Sequence, residues 1–143
     1  MRRKEGFTLV ELLIVLAVIA ALLATITPVA LNAVKKAKAS QVAQNLRNIK
    51  TAIEQYVYTE QEAPSSPIVS NLVSENYLSN NPGSSYIATM SSFNNGVAVA
   101  TVAYIGGDVD TDMVTQTYQE TKVGTVLGHA DAIYVDFQIS QYW

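Results

Sequence analysis

Twenty-three consecutive residues without a charge constrain this chain more than any other feature of its sequence. They run from Leu12 to Val34, and the first thirteen of them, Leu12 to Ala24, are apolar without interruption. A helix needs about 20 apolar residues to cross a bilayer core of about 30 Å. The stretch therefore predicts a membrane-spanning helix and excludes a single water-soluble globule.

The charges lie on both sides of this stretch. Arg2, Arg3 and Lys4 precede it, which predicts that the N-terminus stays in the cytoplasm and that the C-terminal part faces the other side. A second group of cations follows it: Lys35, Lys36, Lys38, Arg47 and Lys50. After residue 60 the chain has Lys122 against eight carboxylates, a formal charge of -7. The sequence therefore predicts an acidic C-terminal part on a basic-flanked apolar helix.

A cleaved secretory signal is the alternative interpretation of the N-terminus, because it also combines basic residues with an apolar segment. The apolar stretch is longer than the usual segment of about 7 to 15 residues, and no clear A-x-A site precedes a polar mature start. Both features favour a retained membrane helix.

Glu11 is an ionisable residue inside the apolar run that begins at Phe7. A carboxylate at the centre of a membrane helix costs about 2.5 to 3.5 kcal/mol, and less near an end of the helix. Two interpretations stay open from this argument alone: Glu11 reaches the membrane interface, or it pairs with a partner.

The segment Gly6 to Val15 reads Gly-Phe-Thr-Leu-Val-Glu-Leu-Leu-Ile-Val after a short basic leader, and it resembles the prepilin signature of type IV pilins and of type II secretion pseudopilins. The resemblance implies that a membrane-bound prepilin peptidase cuts between Gly6 and Phe7 and methylates the new N-terminal Phe7. It also implies that Glu11 serves filament assembly. Pro28 falls where many pilin helices carry a proline.

The chemistry of these residues is consistent with that role. Cleavage creates an α-amine with a pKa of about 8. Glu11 can neutralise the amine of a neighbouring subunit inside an apolar helix bundle, where breaking a buried pair costs about 3 to 5 kcal/mol. Pro28 lacks an N–H and is predicted to break the helix by a kink or a local opening, with Thr25 and Thr27 satisfying the freed carbonyls.

An amphipathic helix is predicted beyond the membrane as far as about Thr59. One stripe of it is apolar and is expected to pack on the rest of the chain: Val42, Leu46, Ile49, Ile53 and Tyr56. The predicted organisation is a leader at 1–6, a membrane and assembly helix at 7–31, its amphipathic continuation at 32–60 and a globular head at 61–143.

The predicted fold class is α+β, with the second half of the long helix packed on a small antiparallel sheet of three or four strands, as in pilins. The alternation of Ile133, Val135, Phe137 and Ile139 with polar neighbours predicts the last strand, and Asn94-Asn95-Gly96 predicts a hairpin turn. The other predicted elements are a short helix at 71–78 and strands at 85–93, 97–105 and 122–127.

An acidic segment of the head is the one candidate metal site. Asp108, Asp110 and Asp112 begin like a calcium loop. Met113 stands where the EF-hand pattern needs glycine, and Gln119 stands at its last ligand position. Calcium binding and a solvated acidic loop are the two interpretations, and no other cofactor is expected.

Composition and motifs indicate a protein that is not an enzyme. The chain has no cysteine and one histidine, His129, so most nucleophilic, acid–base and metal constellations are excluded. The acidic head opposes binding of nucleic acid by the lone head, although contact by an assembled filament through Lys122 or the lysines after the membrane helix stays open.

The predicted function is that of a type IV pilin, made as a bacterial inner-membrane precursor and polymerised into an extracytoplasmic pilus filament for motility, adhesion or DNA uptake. Its implied partners are further copies of the chain, the prepilin peptidase, an inner-membrane assembly platform and the membrane. A pseudopilin of a type II secretion system is the alternative, and a minor subunit is not excluded. A membrane-tethered binding module that never polymerises is the alternative from another class.

Overall fold

The computed structural model describes residues 6–143 and has an α+β fold, as predicted. The elements are α1 (Leu9–Glu60), α2 (Ile68–Ser74), β1 (Tyr86–Met90), β2 (Val97–Tyr104), α3 (Thr111–Thr117), β3 (Lys122–Val126) and β4 (His129–Ser140). The chain separates into two compact units, of which the first ends at Lys36 and the second extends from Ala37 to Trp143. They are called the N-terminal unit and the C-terminal unit below. Five residues of the predicted leader, Met1 to Glu5, lie outside the described residues.

The described part of the N-terminal unit is mainly the apolar first part of α1, and its large side chains are exposed. Every large apolar side chain from Leu9 to Val34 is at least 47% exposed, and no residue of the most apolar 18-residue window is buried. By length and composition this helix can cross a membrane. A continuous apolar surface of this kind is expected to be covered by lipid or by other helices.

Pro28 lies inside α1, and the helix runs through it without interruption. The predicted local opening is therefore not observed, and a kink at Pro28 stays a prediction. Proline removes only the hydrogen bond to the carbonyl of Ala24, and a helix tolerates this loss where its neighbouring turns are intact. The hydroxyls of Thr25 and Thr27 donate to the carbonyls of Leu22 (2.9 Å) and Leu23 (2.7 Å), so they bond to neighbouring carbonyls and not to the freed one.

The C-terminal unit is built on the predicted apolar stripe of α1. Val42, Leu46, Ile49, Ile53 and Tyr56 are all at most 5% exposed, so the prediction is confirmed. Small residues widen the buried face on both sides of the stripe: Ala39, Ala43 and Ala52. Because alanine has a short side chain, these positions allow the helix to lie close to what it packs on.

A four-stranded antiparallel sheet in the order β1-β2-β4-β3 covers this helix face. Five buried residues of its central strands belong to the same core cluster as the α1 stripe: Ala100, Val102, Ile133, Val135 and Ile139. The alternation predicted for the last strand is confirmed, since Asp136 and Gln138 are exposed between these buried positions. The strand begins earlier than the alternation indicated, at His129.

Two hairpins connect neighbouring strands. The predicted turn between β1 and β2 is confirmed: Asn94 pairs with Val97, and Asn95 and Gly96 have φ values of 51° and 78°. Between β3 and β4 the turn residues are Leu127 and Gly128, with φ values of 50° and 85°. The strand predicted at 122–127 included Leu127. Leucine is an unusual residue at positive φ, so it gave no signal of a turn.

The two short helices differ from the predictions. The helix expected at 71–78 forms at Ile68–Ser74, directly after Pro67, because Ile68, Val69 and Leu72 enter the core. It ends where Asn76 takes a φ of 63°. The segment expected to be an acidic loop contains α3. The N–H groups of Asp112 and Met113, at the N-terminus of this helix, donate to the Asp110 carboxylate. An aspartate directly before a helix is a common N-cap, and the sequence analysis did not consider this role for Asp110.

Residues 1–31 are expected to be dispensable for folding of the C-terminal unit, because every buried core residue of the described chain lies at Ala39 or beyond. A chain that starts near Asn32 should be soluble and monomeric and should unfold cooperatively on heating. Circular dichroism and analytical ultracentrifugation measure both properties. An insoluble product without a thermal transition would contradict this assignment of the core.

Candidate functional site

The peptide bond between Gly6 and Phe7 lies in the segment before α1. Residues 6–8 have no regular secondary structure, and the Phe7 side chain is 93% exposed. A methyl group added at Gly6 would meet no atom within 4 Å. The described part of the segment is therefore open to a protease on all sides, as cleavage at this bond requires.

Thr8 and Glu11 form a reciprocal cap at the N-terminus of α1. The Thr8 N–H donates to Glu11 Oε2 at 2.8 Å, and the Glu11 N–H donates to Thr8 Oγ1 at 3.3 Å. This arrangement is the capping box, in which the threonine at the cap and the glutamate three residues later satisfy two free N–H groups. The spacing Thr-x-x-Glu before an apolar run signals it, and the sequence analysis missed this signal because it considered Glu11 only as a charge.

The capping box leaves the charge of Glu11 uncompensated by the described chain. Among residues 6–143 no cation pairs with its carboxylate. A carboxylate in an apolar environment requires a positive partner. The geometry is therefore compatible with two roles, a local cap and an ion pair with a group from outside this range.

The three carboxylates predicted as a calcium site have different environments. Asp108 Oδ2 accepts from Lys38 Nζ at 3.1 Å, and its Oδ1 accepts from the Tyr104 hydroxyl. Asp110 caps α3, and Asp112 lies exposed in the first turn of that helix. Among residues 6–143 no group of three His, Cys, Asp or Glu side chains is placed to hold a metal ion. Calcium binding by the three aspartates stays a prediction.

Asp108 links the loop after β2 to α1. The hydrogen bond from Tyr104 and the neighbouring Lys38 lower the pKa of the Asp108 carboxyl. Burial and the same carboxylate raise the pKa of the Tyr104 hydroxyl well above its ordinary value, so tyrosine stays the donor. These contacts tie the loop to the helix in a chain that has no cysteine.

Two further cations of α1 contact the C-terminal end of α3 and the segment after it. Lys50 Nζ lies 2.7 Å from Glu120 Oε2, which lowers the pKa of the Glu120 carboxyl. Arg47 donates to the Thr117 carbonyl at 3.0 Å and lies 4.4 Å from the centre of the Tyr118 ring. Because the carboxyl pKa values of Glu120 and Asp108 are lowered on folding, these pairs stabilise the fold at neutral pH. This contribution is lost in acid, as the pH falls through the lowered pKa values.

The remaining charged candidates are exposed. Lys122 pairs with Asp136 at 2.7 Å, while Lys35 and Lys36 lie on the exposed surface of the N-terminal unit. His129 is exposed at the start of β4.

Gly106 is expected to be required for the contact between Tyr104 and Asp108. A methyl group at this position would overlap the Tyr104 ring and hydroxyl, so Gly106→Ala should displace the ring and destabilise the C-terminal unit by about 1–3 kcal/mol. Gly124→Ala is the matched control, because its nearest neighbour is an ordinary contact of 3.4 Å to the Tyr134 ring. Thermal unfolding compares the two variants, and an equal effect of both would contradict the role of Gly106.

The comparisons with known proteins give one match. Residues 1–27 match the family described as the prokaryotic N-terminal methylation motif. Neither the curated proteins nor the solved structures gave a significant match. The resemblance to the prepilin-type signature is thereby confirmed for the first 27 residues, and the match supports the class of type IV pilins and pseudopilins in general. Proteins with this motif are typically structural and not enzymatic.

Proposed function

We propose that this chain, which carries the prepilin-type methylation motif, is a type IV pilin that polymerises through its N-terminal helix into an extracytoplasmic pilus. One observation carries the proposal: the motif at residues 1–27 overlaps an apolar stretch of α1 whose large side chains are exposed from Leu9 to Val34. The chain acts as a structural subunit and not as an enzyme. The filament serves motility, adhesion or DNA uptake.

The exposed apolar helix supports polymerisation because it needs a cover in every state of the protein. In the precursor the bilayer supplies this cover, and the subunit resides in the bacterial inner membrane. In a filament the same surface is covered by the helices of other copies, so each subunit leaves the membrane without exposing the helix to water. An inner-membrane assembly platform and the prepilin peptidase are the partners that this route requires.

Glu11 has two tasks in the proposal. Its carboxylate caps α1 through the Thr8 N–H, and its negative charge pairs with the α-amine that cleavage creates at Phe7 of a neighbouring copy. That amine is cationic at neutral pH, since its pKa is about 8. Pairing inside an apolar bundle fixes the register between copies, because a displaced copy would leave both charges unpaired.

A pseudopilin of a type II secretion system is the alternative function, and the absence of cysteine together with the acidic segment favours it. A membrane-tethered binding module that does not polymerise is the alternative from another class. Electron microscopy of purified surface appendages, with antibodies against the C-terminal unit, distinguishes these functions. Long surface filaments that contain the chain are expected, and their absence from cells that express it would contradict the pilus.

Processing is expected between Gly6 and Phe7. N-terminal sequencing or mass spectrometry of the mature protein should find a chain that begins at Phe7 and carries an N-methyl group. Gly6→Val should block the cut, because a branched side chain obstructs close approach to the bond. A mature chain that begins near Asn32, as ordinary signal peptidase would produce, would argue against the pilin proposal.

Glu11→Gln is expected to separate the two tasks of Glu11. Glutamine at this position can still cap the helix, but it removes the negative charge. Membrane insertion should stay intact or improve, as should that of Glu11→Leu, while filament assembly fails for both variants. Membrane fractionation and filament yield after shearing measure the two steps.

Thr8→Ala is the matched control for this experiment. It removes the threonine side of the capping box, at a cost of about 0.5–2 kcal/mol to the helix, and it keeps the carboxylate charge. Filaments of Thr8→Ala are expected. Normal filament yield from Glu11→Gln would show that assembly does not use the charge.

A further inference from the structure

The strand β1 lies at one edge of the four-stranded sheet, so its outer side has no neighbouring strand. Its register with β2 is regular along its whole length, from Tyr86 opposite Tyr104 to Met90 opposite Ala100. An edge strand presents a row of backbone N–H and C=O groups with which another extended chain can pair. The outer side of β1 is therefore a candidate surface for binding a polypeptide backbone.

Hydrogen bonds at the two ends of β1 show which of its residues carry the outward groups. The Ser85 carbonyl accepts from the residue after β2 at 2.8 Å, and the Ser91 N–H donates to β2 at 2.9 Å. In an antiparallel ladder every second residue bonds to the partner strand. The backbone groups of Tyr86, Ala88 and Met90 therefore point away from β2. Among residues 6–143 only the Tyr86 N–H of these groups has a partner, a carbonyl three residues earlier at 3.2 Å.

The strand β1 lacks the features that usually prevent an edge strand from pairing. Charged side chains, proline and bulges are common protections of such edges. The sequence of β1 is Tyr-Ile-Ala-Thr-Met, and its register has no bulge. The opposite edge strand, β3, begins with Lys122 and has an irregular register between Gly124 and Val126. The two edges of the sheet thus differ, and β1 is the one that is open to pairing.

A groove of about 450 Å³ lies beside β1, and residues 66–70, which precede and begin α2, form its other wall. Four residues of β1, Tyr86 to Thr89, line it, and so does Leu127 of the turn between β3 and β4, which is 63% exposed. The accessible lining is mainly apolar, and no charged side chain of residues 6–143 belongs to it. Next to the open edge there is thus space for apolar side chains of an added strand.

We propose that β1 binds an extended, uncharged segment of a partner protein, which adds to the sheet as a fifth strand. The backbone of the segment bonds to the outward groups of Ala88 and Met90, and its apolar side chains at alternate positions enter the groove. The open edge selects a polypeptide because a second backbone carries donors and acceptors at the matching spacing. Charged side chains would lose their hydration in the groove without gaining a partner.

The charge of the C-terminal unit favours a partner segment over a second copy of this unit. Residues 37–143 contain ten carboxylates against four lysine or arginine side chains. Two such units that met edge to edge would bring like net charges together, whereas an uncharged segment meets no such repulsion. The inference goes beyond the proposed function and does not depend on polymerisation, since the edge and the groove belong to one unit of one copy.

The test measures amide hydrogen exchange by NMR on the full ¹⁵N-labelled chain in micelles of an uncharged detergent. The probes are two capped heptapeptides, one of alternating threonine and valine and one of alternating serine and leucine. Without peptide, the amides of Ala88 and Met90 should exchange fast, while those of Ile87 and Thr89 are protected by their bonds to β2. At saturation with at least one peptide, exchange at Ala88 and Met90 should slow about tenfold or more, because their N–H groups become hydrogen-bonded.

N-methylated forms of the binding peptide separate backbone pairing from side-chain contact. Alternate residues of a strand direct their N–H groups to opposite sides. One form carries N-methyl groups on its apolar residues and the other on its polar residues, so each form lacks the donors of one side. At least one form should bind about tenfold more weakly or worse, as expected for the loss of several hydrogen bonds.

Two variants test the edge and the groove. Ala88→Pro removes an outward N–H and should abolish binding, and an edge strand tolerates proline where the N–H faces away from its partner. Leu127→Asn removes an exposed apolar side chain of the groove and should weaken binding about threefold or more. Asparagine tolerates the φ of 50° at this position, so the fold should be retained. The spectrum of each variant without peptide reports whether it is folded.

Val123→Pro is the matched control, because it places the same substitution at the other edge of the sheet. The Gln141 N–H donates to the Gly96 carbonyl of the segment before β2 at 2.6 Å. By the alternation of the ladder, Tyr134 then bonds to its β3 partner Lys122, and Val123 points away from β4. Binding of the peptide to Val123→Pro should be unchanged.

Four results would overturn the proposal. The first is protection of the Ala88 and Met90 amides in the chain without peptide, and the second is unchanged exchange at saturation with both peptides. The third is equal binding of the N-methylated forms or of folded Ala88→Pro. The fourth is protection that rises with protein concentration without peptide, which would assign the edge to a second copy. None of these results bears on cleavage at Gly6 or on filament assembly, so the proposed function is tested separately.

Discussion

The packing of α1 against the sheet is the interaction on which the C-terminal unit depends. Leu46, Ile49 and Ile53 are fully buried, and they contribute about 1.5–3 kcal/mol each by removal from water. Because this stripe packs on β2 and β4, the two exposed sides of the helix face different segments of the chain. One side faces the segment around α3, and the other faces the connection between α2 and β1. The charged contacts of the helix follow from this single orientation.

Polar and charged contacts with α1 restrain the connection between β2 and β3, which lies outside the sheet. Lys38, Arg47 and Lys50 meet partners 70 residues later in each case, so the segment from Asp108 to Glu120 runs alongside the helix in the same direction. Exposed ion pairs contribute about 0–1 kcal/mol each. Their combination with the buried hydroxyl of Tyr104 and the ring of Tyr118 gives a restraint that needs no disulfide. A chain without cysteine thereby holds a long connection in place.

Local patterns in the sequence identified the elements whose cause is itself local. The charge-free run predicted the exposed apolar helix, the 3–4 spacing predicted the stripe from Val42 to Tyr56, and Asn95-Gly96 predicted the hairpin turn. The residues Gly6, Phe7 and Glu11 were predicted as processing and assembly residues because the prepilin-type signature is a contiguous pattern, which the match at residues 1–27 confirms. The capping box of Thr8 and the N-cap of Asp110 are also local patterns, and the sequence could have predicted them. Both were missed because each residue lay in a segment that had been assigned another role.

The sequence by itself determined the apolar, charge-free character of residues 12–34, the α+β class and the buried face of α1, because hydrophobic period and turn chemistry act over a few residues. Only the tertiary structure decided the strand order β1-β2-β4-β3 and the partners of Lys38, Arg47 and Lys50, because these contacts join residues 70 positions apart. It also decided that Asp108 faces a lysine and a tyrosine, and that β1 lies at an edge of the sheet. Proximity between distant segments is fixed by the packing of the core, and no local period in the sequence records it.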